Sequence, residues 1–147
     1  MAEVKNIFDV VGRSLGAQMV RLNAVASNLA NMESKSGSAE TAFKPVRPIF
    51  ETVFSENYGK NGIASVDAVE VIPLDRKPEL IYEPGHPNAD AQGYVYKAPV
   101  NSDEEMVDML EASRQYQNNL EVCSKIFVLS LFLVIKQFHH LHYQYFQ

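Results

Sequence analysis

From residue 4 to residue 32 the apolar positions recur at alternating spacings of four and three: Val4, Phe8, Val11, Leu15, Leu22, Val25, Leu29 and Met32, with Gln18 as the polar member of the series. That alternation lays the side chains along one narrow stripe of an α-helix, the pattern by which helices pair in coiled coils. Lys5, Asp9, Arg13, Arg21, Asn23 and Ser27 fall on the opposite face, while Gly12, Gly16, Ala17, Ala24, Ala26 and Ala30 thin the flanks of the stripe. Small flanks let neighbouring helices approach closely. Gly12 and Gly16 also cost about 1 kcal/mol each relative to alanine, so the helix is expected to fray unless packing supports it.

The period changes after residues 33–41, ESKSGSAET, which read as a polar loop. Residues 43–54, 66–73 and 79–83 are rich in β-branched and aromatic side chains and predict short strands. Seven prolines between residues 45 and 99 confine them to edge strands or short pairs. Residues 57–62, NYGKNG, suit a hairpin turn, and residues 83–101 read as a long irregular excursion in which Tyr94 and Tyr96 alternate as a strand would. Ser102 and Glu105 have capping-box spacing, with Asp103 and Glu104 also in the first turn where the helix dipole favours acids. A second seam follows through Met106, Met109, Ser113, Tyr116, Leu120, Cys123 and Phe127, widened by Val107 and Leu110.

These elements predict an α+β chain: N- and C-terminal amphipathic helices of coiled-coil type around a small β-rich insert. The expected divisions are residues 1–34, 35–101 and 102–147. At 147 residues the chain suits one modest domain, and 46% hydrophobic with 21% charged residues is ordinary for a folded protein. The formal charge of -5 offers no general attraction to nucleic acid. Cys123 is the single cysteine, which removes disulfide frameworks and cysteine-pair metal sites. The first residues lack the basic head and uninterrupted apolar run of a secretory signal peptide. The apolar run 126–135 is ten residues long, against about 20 for a membrane span, so no stable span is expected; a buried helix is favoured over an aggregating strand or a membrane-contacting tail.

Candidate chemistry is sparse. His139, His140 and His142 lack the further ligands of a zinc site. His86 reads as a loop residue, and Cys123 as a seam residue with no histidine in the preceding turns. A small hydrolase would need those two side chains to converge beside an oxyanion donor. The glycines at 59 and 62 have neither the length nor the hydroxyl of a phosphate-binding loop. No catalytic residue, metal or cofactor is therefore expected.

Residues 15–34, LGAQMVRLNAVASNLANMES, resemble the N-terminal signature of the flagellar rod, hook and hook-associated protein family, centred on Asn28-Leu29-Ala30-Asn31 after Leu22 and Asn23. Asparagines in a helix require partners for their amides, which a bundle of like subunits would supply. Residues 86–122 are similar to the C-terminal half of that family's proximal-rod members, through Asn88-Ala89-Asp90, Gly93-Tyr94-Val95-Tyr96, Val100-Asn101, Glu105-Met106-Val107 and Arg114-Gln115-Tyr116-Gln117. The resemblance spans residues 4–122. It implies a structural subunit of the basal-body rod in the periplasm, exported through the flagellar type III apparatus without a cleaved signal peptide. Its implied partners are copies of itself, other rod proteins and the export apparatus, with no nucleic acid. The expected assembly interface comprises Phe8, Val11, Leu15, Leu22, Val25, Asn28, Leu29, Asn31, Met106, Met109, Tyr116 and Leu120. The rival reading is a coiled-coil module that binds a non-flagellar partner by helix pairing.

From Cys123 the sequence CSKIFVLSLFLVIKQFHHLHYQYFQ departs from the family's amphipathic pattern. It reads as a replaced tail of the kind a shifted reading frame produces, and it is expected to weaken assembly.

Overall fold

The structure is a computed structural model that describes residues 2–54 and 64–145, with side chains described over 7–52 and 70–139. The turn expected at 57–62 and the side chains of Val4, His140 and His142 lie outside those limits. In chain order the elements are helix α1 (Ala2–Asn31), strands β1 (Lys35–Ser36), β2 (Val46–Phe54), β3 (Ala64–Pro73), β4 (Glu79–Tyr82) and β5 (Tyr94–Lys97), and helix α2 (Ser102–Tyr145). Two long helices thus flank a small antiparallel insert, in agreement with the expected α+β class.

Strands β2 and β3 form a two-stranded antiparallel ribbon from Val46 opposite Pro73 to Phe54 opposite Ala64, with an irregularity between Ile49 and Phe50. Each strand of such a ribbon keeps one open edge, which is why Pro48 and Pro73 are tolerated. The ribbon lies against α1 through both strands. Leu74 extends the pairing by donating its N–H to Pro45 O at 2.7 Å, and Pro45 is fully buried.

The other three strands form a second sheet in the order β1-β5-β4. Two expectations change here. The polar loop at 33–41 contains β1, and the supposedly irregular stretch at 83–101 contains β5, the central strand. Turn residues on both sides obscure a strand only four residues long. Asp90 Oδ1 accepts N–H bonds from Gln92 at 2.9 Å and Tyr94 at 2.8 Å, and Gly93 takes φ +86°, where a Cβ would meet Tyr82 Cε2 at 2.9 Å. This turn delivers Val95 to the interior, where it is fully buried. In register, Tyr94 faces Tyr82 and Tyr96 faces Leu80; the Tyr82 and Tyr94 rings meet edge to face at 5.2 Å.

The start of α2 also differs from expectation. Asn101 caps it: its Oδ1 accepts the N–H groups of Asp103 at 3.0 Å and Glu104 at 3.3 Å. Ser102 is the first residue of the helix. Glu105 does not reach back to close a capping box, because its carboxylate turns into the interior and binds Asn28 instead.

Candidate assembly interface

Helices α1 and α2 run antiparallel against each other, and their contact is built from small and polar side chains. Val11, Ala17, Ala24, Val25 and Asn28 are buried on α1, and Glu105 and Ala112 on α2. Alanines at the contact allow the close approach expected of the flanks. Gly12 and Gly16, expected to serve the same purpose, lie on the open side, where an added Cβ would meet nothing within 4 Å.

Polar pairs cross the contact at regular intervals. Asn119 Nδ2 donates to Ser14 Oγ at 2.7 Å, Arg21 lies 3.8 Å from both Asp108 and Glu111, and Asn28 Nδ2 donates to Glu105 Oε2 at 3.1 Å. Ser14, Arg21 and Asn28 are spaced by sevens, so they share one face of α1. Arg21, placed on the solvent face by the apolar pattern, points across at α2.

The Asn28 end of this series is its centre. Asn28 is 0% exposed and Glu105 1%. The second Asn28 amide bond goes to Val46 O at 3.0 Å, and Val46 N–H donates to Asn28 Oδ1 at 2.8 Å. One asparagine therefore ties α1 to α2 and to β2. Arg47 binds the same cluster, donating to Glu104 at 3.0 Å, to Glu105 at 3.3 Å and to Asp108. Arg76 grips Glu104 with both terminal nitrogens, at 3.0 and 3.1 Å. Its hydrogen bonds hold the Glu104 carboxyl below the ordinary carboxylate range, and Glu104 in turn raises the Arg76 value.

Of the expected interface residues, Val11, Val25 and Asn28 are buried; Phe8, Leu15, Leu22, Leu29, Asn31, Met109 and Tyr116 are half-buried. Asn31 satisfies its amide within α1, donating to Ser27 O at 2.8 Å. Met106 and Leu120 are exposed, at 58% and 45%. On α2 the α1-facing stripe runs through Glu105, Met109, Ala112, Tyr116, Asn119, Cys123 and Ile126, one residue earlier than the expected seam at four of its positions. The large apolar side chains Met106, Val107, Leu110 and Leu120 are left facing outward. Sequence reasoning missed Ser14, Arg21, Arg47, Arg76, Glu105 and Asn119; the spacing of Ser14, Arg21 and Asn28 was the available signal.

Cys123 is a free, half-buried thiol, and His86 sits in a turn where its Nδ1 accepts the Asn88 N–H at 3.1 Å. No cluster of three potential metal ligands occurs among the described residues.

Known proteins are similar to this chain over most of its length. Residues 91–125 match the family described as flagellar basal body rod FlgEFG protein C-terminal. The flagellar basal-body rod protein FlgC of Escherichia coli O157:H7 is 40% identical over 121 residues, covering 82% of this chain and 88% of the relative. The chain belongs to the FlgC family of flagellar basal-body rod proteins. FlgC of Salmonella typhimurium is 39% identical over 122 residues, covering 82% of this chain and 88% of its own length. FlgC of Aquifex aeolicus is 37% identical over 124 residues, covering 84% and 90%. The FlgC family is a structural one. Its C-terminal family match stops at residue 125, close to where the sequence loses the family pattern.

Beyond that point α2 continues as a helix to Tyr145. The chain itself does not bury this tail: Phe127, Val128, Leu129, Leu131, Phe132, Leu133, Val134, Ile135 and Phe138 are all exposed. Ile126, not Phe127, continues the α1-facing stripe. Within Ser102–His139 an 18-residue stretch is apolar enough to cross a membrane by length and composition, and 0% of it is buried. The apolar length is thus greater than the ten-residue run alone indicates.

Proposed function

We propose that this chain is a structural subunit of the proximal rod, assembling with copies of itself and with other rod proteins through its two helices. The observation that carries this reading is the outward stripe of Met106, Val107, Leu110 and Leu120 on α2. The opposite side of that helix is already occupied by α1, so these side chains remain available to neighbouring subunits, and their burial would be worth roughly 1.5–3 kcal/mol each. The interface residues Phe8, Leu15, Leu22, Leu29, Met109 and Tyr116 would set the spacing of the pair within each subunit. Torque would pass through these packed faces. The subunit reaches the periplasm through the flagellar type III apparatus, and its tail weakens incorporation because β-branched and aromatic residues replace the family's amphipathic helix.

The test is motility of a rod-deficient strain carrying this chain, a version whose tail restores heptad spacing, and the restored version with Met106→Asp and Leu110→Asp. The restored tail should improve swimming over the native tail, and the double aspartate variant should lose it while keeping its helix content. Equal swimming with both tails would sink the tail effect. Rescue by the aspartate variant would sink the role of the stripe.

A further inference from the structure

We propose that the tail of α2, residues 126–138, docks on an anionic lipid bilayer. Successive residues of a helix step about 100° around its axis, so the unbroken run from 131 to 135 covers the whole circumference with Leu, Phe, Leu, Val and Ile. A helix that packs on one protein partner needs a single apolar stripe, whereas one apolar all round calls for a surrounding apolar medium. The antiparallel register denies it that medium within the chain. Ser14 meets Asn119 and Asn28 meets Glu105, fourteen positions further along α1 and fourteen further back along α2. Continued to Ala2, the same register reaches roughly residue 131, and beyond Ile126 the described side chains of α2 are exposed except Ser130, which is half-buried.

Charge selects the kind of surface. The chain as a whole carries -5, yet no Asp or Glu follows Glu121, while Lys125 and Lys136 bracket the apolar run and three histidines follow it. The tail is therefore the cationic part of an acidic protein, complementary to anionic headgroups. Lys125 and Lys136 are eleven positions apart, about three helical turns, and so lie on the same side of the helix. Long lysine stems let both ammonium groups reach one headgroup layer while the surrounding apolar side chains enter the leaflet.

The experiment is flotation of the full chain with vesicles of phosphatidylglycerol and phosphatidylcholine, beside vesicles of phosphatidylcholine alone. The native chain should float with the anionic vesicles at least tenfold more than the Phe132→Glu, Ile135→Glu double variant. These two positions are solvent-exposed in the isolated chain, so circular dichroism should show the same helix content in both proteins. Lys136→Glu should lower flotation on anionic vesicles several-fold and leave the weaker binding to neutral vesicles unchanged. Flotation that ignores the two glutamates overturns the proposal. So does a native chain that stays out of the lipid fraction because its tails associate with those of other copies, seen as lipid-independent oligomers abolished by the glutamates.

Discussion

At the scale of single residues, the position that organises the molecule is Glu105. A fully buried carboxylate is costly to strip of its partners, because the groups left behind lose hydrogen bonds without regaining water. Glu105→Ala would leave one Asn28 amide hydrogen unbonded in the interior and would take one acceptor from Arg47, which still has Glu104 and Asp108. The expected loss is about 2–3 kcal/mol. Glu105→Gln keeps an acceptor for Asn28 and should lose less than half as much. Urea unfolding followed by circular dichroism would read both, and an alanine variant within 0.5 kcal/mol of the native chain, roughly the scatter of neutral surface substitutions, would exclude the proposed role. This residue was legible in the sequence as a capping-box acid and as a member of the family motif, but not as a buried one. Its inward turn depends on Asn28, 77 positions away, and no local spacing encodes that distance.

At the scale of elements, the helix and strand positions follow from periodicity, while the facing of each helix does not. The expected seams collected the largest apolar residues. The actual contact instead uses Ala17, Ala24 and Ala112 with polar pairs between them, which rotates α2 by about one residue and turns Met106 and Leu120 outward. A rule that ranks positions by side-chain size places the interior wrongly when the interior is small and hydrogen-bonded. Strand β5 was only half legible for a different reason: Tyr94 and Tyr96 alternate as a strand would, but four residues are too few to set it apart from the turn residues around it, and its start is defined by the Asp90 turn and Gly93. Gly16 supplies the test at this scale. It is in mid-helix with open space around the missing Cβ, so Gly16→Ala should stabilise the isolated chain by about 1 kcal/mol. If neighbouring subunits approach at that side, as the thin flanks imply, the same variant should rescue motility less well despite its greater stability. A loss of stability in the urea midpoint would show that the space is not open.

At the scale of the whole molecule, ion pairs fasten the β insert to the helices and to itself, and their protonation sets how the assembly of elements responds to acid. Arg76 follows β3 and binds Glu104 in the first turn of α2. Lys35 Nζ donates to Glu83 at 2.6 Å, holding that carboxyl below its ordinary value, and Lys97 donates to Glu33 at 2.8 Å. A carboxyl whose folded-state value is depressed releases its proton more readily when folded, so the unfolded chain binds more protons in the acid range. The stabilisation from Glu83 and Glu104 is therefore complete above the ordinary value of about 4.5 and is lost as pH falls from there through the depressed folded values. Exposure and salt screening keep each contribution small, but the two act on different joints. Arg76→Ala removes the stronger restraint on Glu104 and leaves Lys35 and Glu83 intact. The urea midpoint of this variant should lie below that of the native chain at pH 7, and the gap should narrow as pH drops below 4.5, where the native pair is itself being protonated. A gap that stays constant between about pH 7 and pH 3 would mean that Arg76 supports the junction of insert and helix through packing of its stem, with the charge on Glu104 contributing nothing.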